Sequence, residues 1–119
     1  MKCWRLVLLG VISYQTFLLQ SLEYLHLWSN YLSSTISAQL GKLSTLKELF
    51  LDDNELTGRI PPTLGLLSNA TYISLATNSF TGSIPPSFGM LSSLERLDLQ
   101  SNNLSGNVPY QLASTPLSE

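Results

Sequence analysis

At 119 residues, with 44% hydrophobic and 12% charged residues and a net charge of −2, the chain is the size of about one small domain. That balance excludes a charge-driven disordered chain, and the scattered Lys and Arg leave no basic footprint for nucleic acid. One cysteine, Cys3, and one histidine, His26, supply neither an intrachain disulfide nor a Cys/His zinc cluster, so neither a metal nor a cofactor is expected.

Residues 1–21 admit two readings. Lys2 and Arg5 precede the apolar stretch Leu6-Val7-Leu8-Leu9-Gly10-Val11-Ile12, as in a secretory signal, although Ser13-Tyr14-Gln15 makes a poor cleavage site. The stretch is well short of the ~20 residues a membrane-spanning helix needs. The rival reading is a degenerate half-repeat. Leu8-Leu9-Gly10-Val11-Ile12-Ser13 sits two 24-residue periods before Leu56-Thr57-Gly58-Arg59-Ile60-Pro61 and matches it position for position. Under that reading the chain is a truncated piece of a longer array.

Residues 22–112 form four rows of 24, starting at 22, 46, 70 and 94. The columns read Leu22, Leu46, Ala70, Leu94; then Leu25, Leu49, Ile73, Leu97; then Leu27, Leu51, Leu75, Leu99. They continue with Asn30, Asn54, Asn78, Asn102 and with Leu32, Leu56, Phe80, Leu104. Ile36, Ile60, Ile84, Val108 and Leu40, Leu64, Phe88, Leu112 complete them. The alternation around the second and third columns is that of a strand with one face inward. A single coil cannot bury that face, so stability comes from stacking. The Asn column falls where the chain leaves the strand. There a buried amide can satisfy turn backbone groups within its own coil and the next, forming a ladder up the stack.

Later in each row, Gly58, Gly82 and Gly106 permit a sharp turn, and Pro61, Pro85 and Pro109 stop regular pairing. This predicts a short extended segment outside the main sheet. The first row departs from the pattern, with Ser34 for Gly and Ser37 for Pro. Residues 113–119 form a short tail.

The rows LKELFLDDNELTGRIPPTLGLLS and LERLDLQSNNLSGNVPYQLAS resemble the plant-type leucine-rich repeat, LxxLxLxxNxLxGxIPxxLGxLxx, over residues 22–112. The family includes plant receptor-like kinases, receptor-like proteins and polygalacturonase-inhibiting proteins. The resemblance implies an α/β-repeat fold: a right-handed solenoid with a parallel concave sheet and few or no regular helices on its convex side. It also implies an extracellular or cell-surface setting and binding of a protein or peptide ligand, such as a co-receptor or a microbial protein. The family's cysteine-paired caps, kinase domain and membrane helix have no counterpart within the 119 residues.

Strand alternation makes Tyr24, Glu48, Tyr72 and Arg96 the first solvent-facing column, followed by His26, Phe50, Ser74 and Asp98. Trp28, Asp52, Ala76 and Gln100 come next, then Ser29, Asp53, Thr77 and Ser101. Aromatic side chains are favoured anchors of interfaces, so the ligand-binding candidates are Tyr24, His26, Trp28, Glu48, Phe50, Asp52, Tyr72, Arg96 and Asp98. Aromatic residues beside acids predict a partner of apolar and basic character. The competing reading is that Tyr24 and Trp28 merely cover an end of the stack. Asn69-Ala70-Thr71 and Asn103-Leu104-Ser105 are glycosylation sequons, with Asn103 pointing outward. No catalytic residue is assigned. Cys3 lacks a rigid platform, His26 sits on an open sheet, and the glycines follow the repeat rather than a phosphate loop. The expected activity is therefore recognition, with a polygalacturonase inhibitor and a gene fragment without independent function as alternatives.

Overall fold

The computed structural model describes residues 20–115. Both readings of the N-terminal segment, Cys3 and most of the tail fall outside the described residues. Each coil runs through a strand, a turn, a second strand and a short 3-10 helix. The first strands are β1 (Tyr24–His26), β3 (Glu48–Phe50), β5 (Tyr72–Ser74) and β7 (Arg96–Asp98), which form one parallel sheet in that order. The second strands are β2 (Ser33–Ser34), β4 (Glu55–Arg59), β6 (Ser79–Gly82) and β8 (Asn103–Leu104), a second parallel sheet. Ala38–Lys42, Pro62–Leu66, Pro86–Met90 and Tyr110–Ser114 are 3-10 helices, and no α-helix occurs among the described residues.

Stacking is what satisfies and buries each coil. Leu25, Leu49, Ile73 and Leu97 lie in register across the first sheet. Leu43, Leu46, Leu49, Leu56, Leu64, Leu67, Ile73, Leu75, Phe80 and Phe88 are fully sealed in one continuous core. Each such side chain contributes roughly 1.5–3 kcal/mol relative to exposure. At the two ends of the described stack, Leu22, Leu27, Leu97, Leu99 and Leu104 are only partly buried against this core. Val108 departs from the inward expectation. It is 70% exposed because no further described coil covers it.

A second sheet, which the repeat pattern did not predict, lies mostly just before the expected Gly-to-Pro extended segment. Its strands stop at Arg59 and Gly82, before Pro61 and Pro85. Those prolines instead cap the 3-10 helices, whose first residues are Pro62 and Pro86. Partners in the first sheet are 24 apart, as in Tyr24 with Glu48. In the second sheet they are 22 apart: Ser33 with Glu55, Thr57 with Ser79, Thr81 with Asn103. Equivalent residues therefore slip by two positions per coil on that flank. On the convex side Gly65 lies against Ser87, where an added Cβ would stand 2.5 Å from a backbone oxygen. Only glycine permits that approach.

The first coil keeps the common path without its signature residues. Ser34 takes φ +75°, beside +78° at Gly58 and +76° at Gly82. Ser37 adopts φ −67° and ψ 137°, close to Pro61 at −63° and 130°, and its hydroxyl accepts from Gln39 N–H at 3.2 Å.

Candidate recognition surface

The Asn column rigidifies the exit of every strand in the first sheet. Asn54 Nδ2 donates to the carbonyls of Leu27, Leu51 and Asp52 at 2.9, 3.0 and 3.2 Å, while its Oδ1 accepts from Leu32 N–H at 2.9 Å. Asn78 makes the equivalent bonds to Leu51, Leu75, Ala76 and Leu56, and Asn102 to Leu75, Leu99, Gln100 and Phe80. Asn30 donates to Leu27 and Trp28. The preceding residues, Ser29, Asp53, Thr77 and Ser101, lie at φ 50–56°. The alternation expected to run through them thus ends earlier, at a left-handed turn that the strand pattern does not reveal.

On this scaffold the open face of the first sheet carries a continuous ridge. Tyr24 meets His26 edge-on with centroids 6.1 Å apart. His26 stacks on Phe50 at 4.3 Å and 9°. Phe50 meets Tyr72 edge-on at 4.6 Å, and the Arg96 guanidinium lies 5.3 Å from the Tyr72 ring centre. His26 Nε2 lies 2.8 Å from Glu48 Oε2. A carboxylate only accepts, so Nε2 carries the proton.

Two hollows flank the ridge and share Tyr72. One, of about 210 Å³, is lined by Trp28, Phe50, Asp52, Tyr72, Ser74 and Asp98. The other, of about 250 Å³, is lined by Glu48, Thr71, Tyr72, Glu95 and Arg96. Trp28 and Tyr24 stand 55% and 52% exposed, whereas Phe50 and Tyr72 are half-buried by the ridge itself. An apolar crevice of about 10 Å³ among Leu25, Leu32, Ile36 and Leu56 is part of the core of the first coils.

Alternation places Ser74 and Ala76 outward, but both are buried, at 5% and 4% exposure. They are small residues between larger neighbours: Phe50 and Asp52 in the preceding coil, Asp98 and Gln100 in the next. Ser74 is a site-lining residue that the search for aromatic and charged side chains passes over. The signal available for it was its small size within a column of His26, Phe50 and Asp98.

At the margin, Lys47 Nζ pairs with Glu23 Oε2 at 3.1 Å. The hydrogen bond and charge of Glu23 hold the Lys47 pKa above its ordinary value. Asn69 is exposed and its Nδ2 donates to the Ser44 carbonyl at 2.7 Å, while Asn103 is exposed on β8. Among the described residues no cluster of three or more His, Cys, Asp or Glu could hold a metal, and no helix is long and apolar enough to cross a membrane.

Parallel sheets stacked one strand per coil define a repeat solenoid. Leucine rich repeat family models match residues 44–104 and 21–43, and the chain belongs to the leucine-rich repeat family. No curated protein sequence matches it. Solved structures do. The ectodomain of the plant membrane receptor kinase GASSHO1/SCHENGEN3 from Arabidopsis thaliana, in complex with CASPARIAN STRIP INTEGRITY FACTOR 2, is 43% identical with a TM-score of 0.81, over 83% of this chain and 12% of that one. The ectodomain of the Arabidopsis thaliana receptor kinase SOBIR1 is 40% identical (TM-score 0.73), over 78% of this chain and 50% of that one. A chain of the Arabidopsis thaliana BIR3–SERK2 complex is 33% identical (TM-score 0.74), over 81% of this chain and 55% of that one. The chain thus spans well under two thirds of each of these proteins.

Proposed function

We propose that the open face of the first sheet recognises an extracellular protein or peptide of apolar and basic character, in a receptor-like role in signalling or defence at the cell surface. The observation that carries this reading is the ridge from Tyr24 to Arg96, which crosses every strand of the sheet and holds its aromatic rings in fixed positions beside carboxylates. Rigid aromatic side chains give large contact area at low entropic cost, and such anchors dominate binding energies. The similarity to receptor ectodomains, one of them solved in complex with CASPARIAN STRIP INTEGRITY FACTOR 2, supports the same reading. Binding rather than catalysis is the proposed activity, in keeping with the leucine-rich repeat family.

Capture from plant cell-wall extract tests it, with the tagged secreted chain as bait. A partner held by the wild type and lost by the Trp28→Ala/Phe50→Ala double variant is expected. Equal capture by both proteins would sink the reading. Inhibition of a fungal polygalacturonase by the wild-type chain at high micromolar concentration would instead assign the surface to enzyme inhibition.

A further inference from the structure

We propose that the hollow lined by Trp28, Phe50, Asp52, Tyr72, Ser74 and Asp98 is the seat of one arginine side chain of the partner. The inference rests on the recognition reading above and names the chemistry of its central contact.

The floor of the hollow is chemically unfinished. Ser74 is 95% buried and lies in register between Phe50 and Asp98 on the open side of β5. Its hydroxyl has no hydrogen-bond partner among the described residues, and no fully sealed polar atom there is without one, so this hydroxyl keeps a small surface open to the hollow. Buried polar groups in native proteins are generally satisfied. A group entering the hollow meets this hydroxyl first.

The charge of the hollow is unbalanced in the same sense. Of the acids on this face, Glu48 is engaged by His26, and Asp53 accepts from the Ser29 hydroxyl at 2.6 Å. Asp52 and Asp98 have no ion pair among the described residues. Asp98 accepts only from Gln100, at 3.2 Å from the backbone N–H and 3.5 Å from Nε2. A cation is therefore the complementary occupant.

Shape selects among cations. Asp52 follows β3 and Asp98 lies on β7, two strands away, which places their backbones on the order of 10 Å apart. A planar guanidinium can donate from two edges at once and bridge such a gap, whereas a compact ammonium cannot. The side walls are the rings of Trp28, Phe50 and Tyr72, surfaces on which a guanidinium stacks. A metal ion would need more ligands than the two carboxylates offer, and its hydration shell gains nothing from aromatic walls.

The test uses the full 119-residue chain, isotopically labelled, and two peptides: acetyl-Leu-Arg-Leu-amide and its citrulline counterpart, which keeps the shape and removes the charge. Saturable shifts at the Ser74 amide and the Trp28 indole N–H are expected with the arginine peptide, at least about tenfold weaker with citrulline. Asp52→Asn and Asp98→Asn should each weaken binding about tenfold, while Glu55→Gln, on the second sheet, should not. Preserved spectra of the Asn variants establish that they fold. Equal binding of the citrulline peptide, unchanged affinity in both Asp variants, or the same shifts on addition of calcium alone overturns the proposal. Absence of any saturable shift also overturns it. The recognition reading would then still stand if the Trp28→Ala/Phe50→Ala variant loses its captured partner, so the two failures are distinguishable.

Discussion

The side-chain amide of Asn78 donates to the carbonyl of Leu51, one coil earlier, at 2.9 Å. The same side chain closes its own turn on Leu75 and Ala76 and accepts from Leu56 N–H. One residue therefore ties adjacent coils at the point where both strands end.

Asn78→Ala leaves those backbone groups without partners in a buried setting. At roughly 1–3 kcal/mol per unsatisfied group, the loss should reach at least about 3 kcal/mol. Asn30→Ala, at a half-buried position whose bonds among the described residues go to the Leu27 and Trp28 carbonyls, should cost about 1 kcal/mol. Urea unfolding midpoints of the two variants check the order; a reversed ranking would contradict the ladder as the main tie between coils.

Gly65→Ala should destabilise by about 1–3 kcal/mol through overpacking, because the new methyl meets Ser87 backbone rather than a movable side chain. Thermal melting measures this. A melting point equal to that of the wild type would show that neighbouring coils separate more easily than their packing implies.

Ser34→Gly should stabilise the chain. A side chain in the left-handed region costs roughly 1–2 kcal/mol, and glycine removes most of this while adding some unfolded-state entropy, for a net gain of about 0.5–1 kcal/mol. The same melting assay reads it, and a lowered midpoint would count against strain at Ser34.

The Glu23–Lys47 pair is exposed, so Glu23→Gln should leave the neutral-pH unfolding midpoint nearly unchanged. The folded Lys47 pKa is raised, which fixes the sign. The small contribution of the pair is fully present below the unfolded lysine pKa and disappears as pH rises through the folded value. Denaturation profiles of variant and wild type should stay close through neutral pH, with any small gap closing as pH rises into the alkaline range, and a gap that widens as pH rises there would refute this.

Much of this molecule is legible in its sequence because a repeat states each constraint several times. The inward columns from Leu25 to Leu112 and the stacking of coils needed only period and alternation. The second sheet was harder to foresee. Its strands are short, and its partners are offset by two residues, so no column of the 24-residue alignment marks the pairing. The burial of Ser74 and the exposure of Val108 escaped for a common reason: both depend on the size or presence of a neighbour in another coil, which a column of equivalent positions does not report. The ridge was visible as a list of aromatic residues, but its order depends on side-chain rotation, as in the stack of His26 on Phe50.

The left-handed serine of the first coil bears on how such proteins diverge. Leu32 N–H is held by Asn54 Oδ1, and the Leu32 carbonyl by Glu55 N–H, both from the following coil. A coil templated in this way can shed its glycine and proline and still follow the common path. Motif and architecture then decouple in one direction: a signature implies a coil, but a missing signature does not imply a missing coil. Counts of repeats taken from sequence patterns are therefore lower bounds, and the drift they overlook gathers where an intact neighbour supplies the constraint.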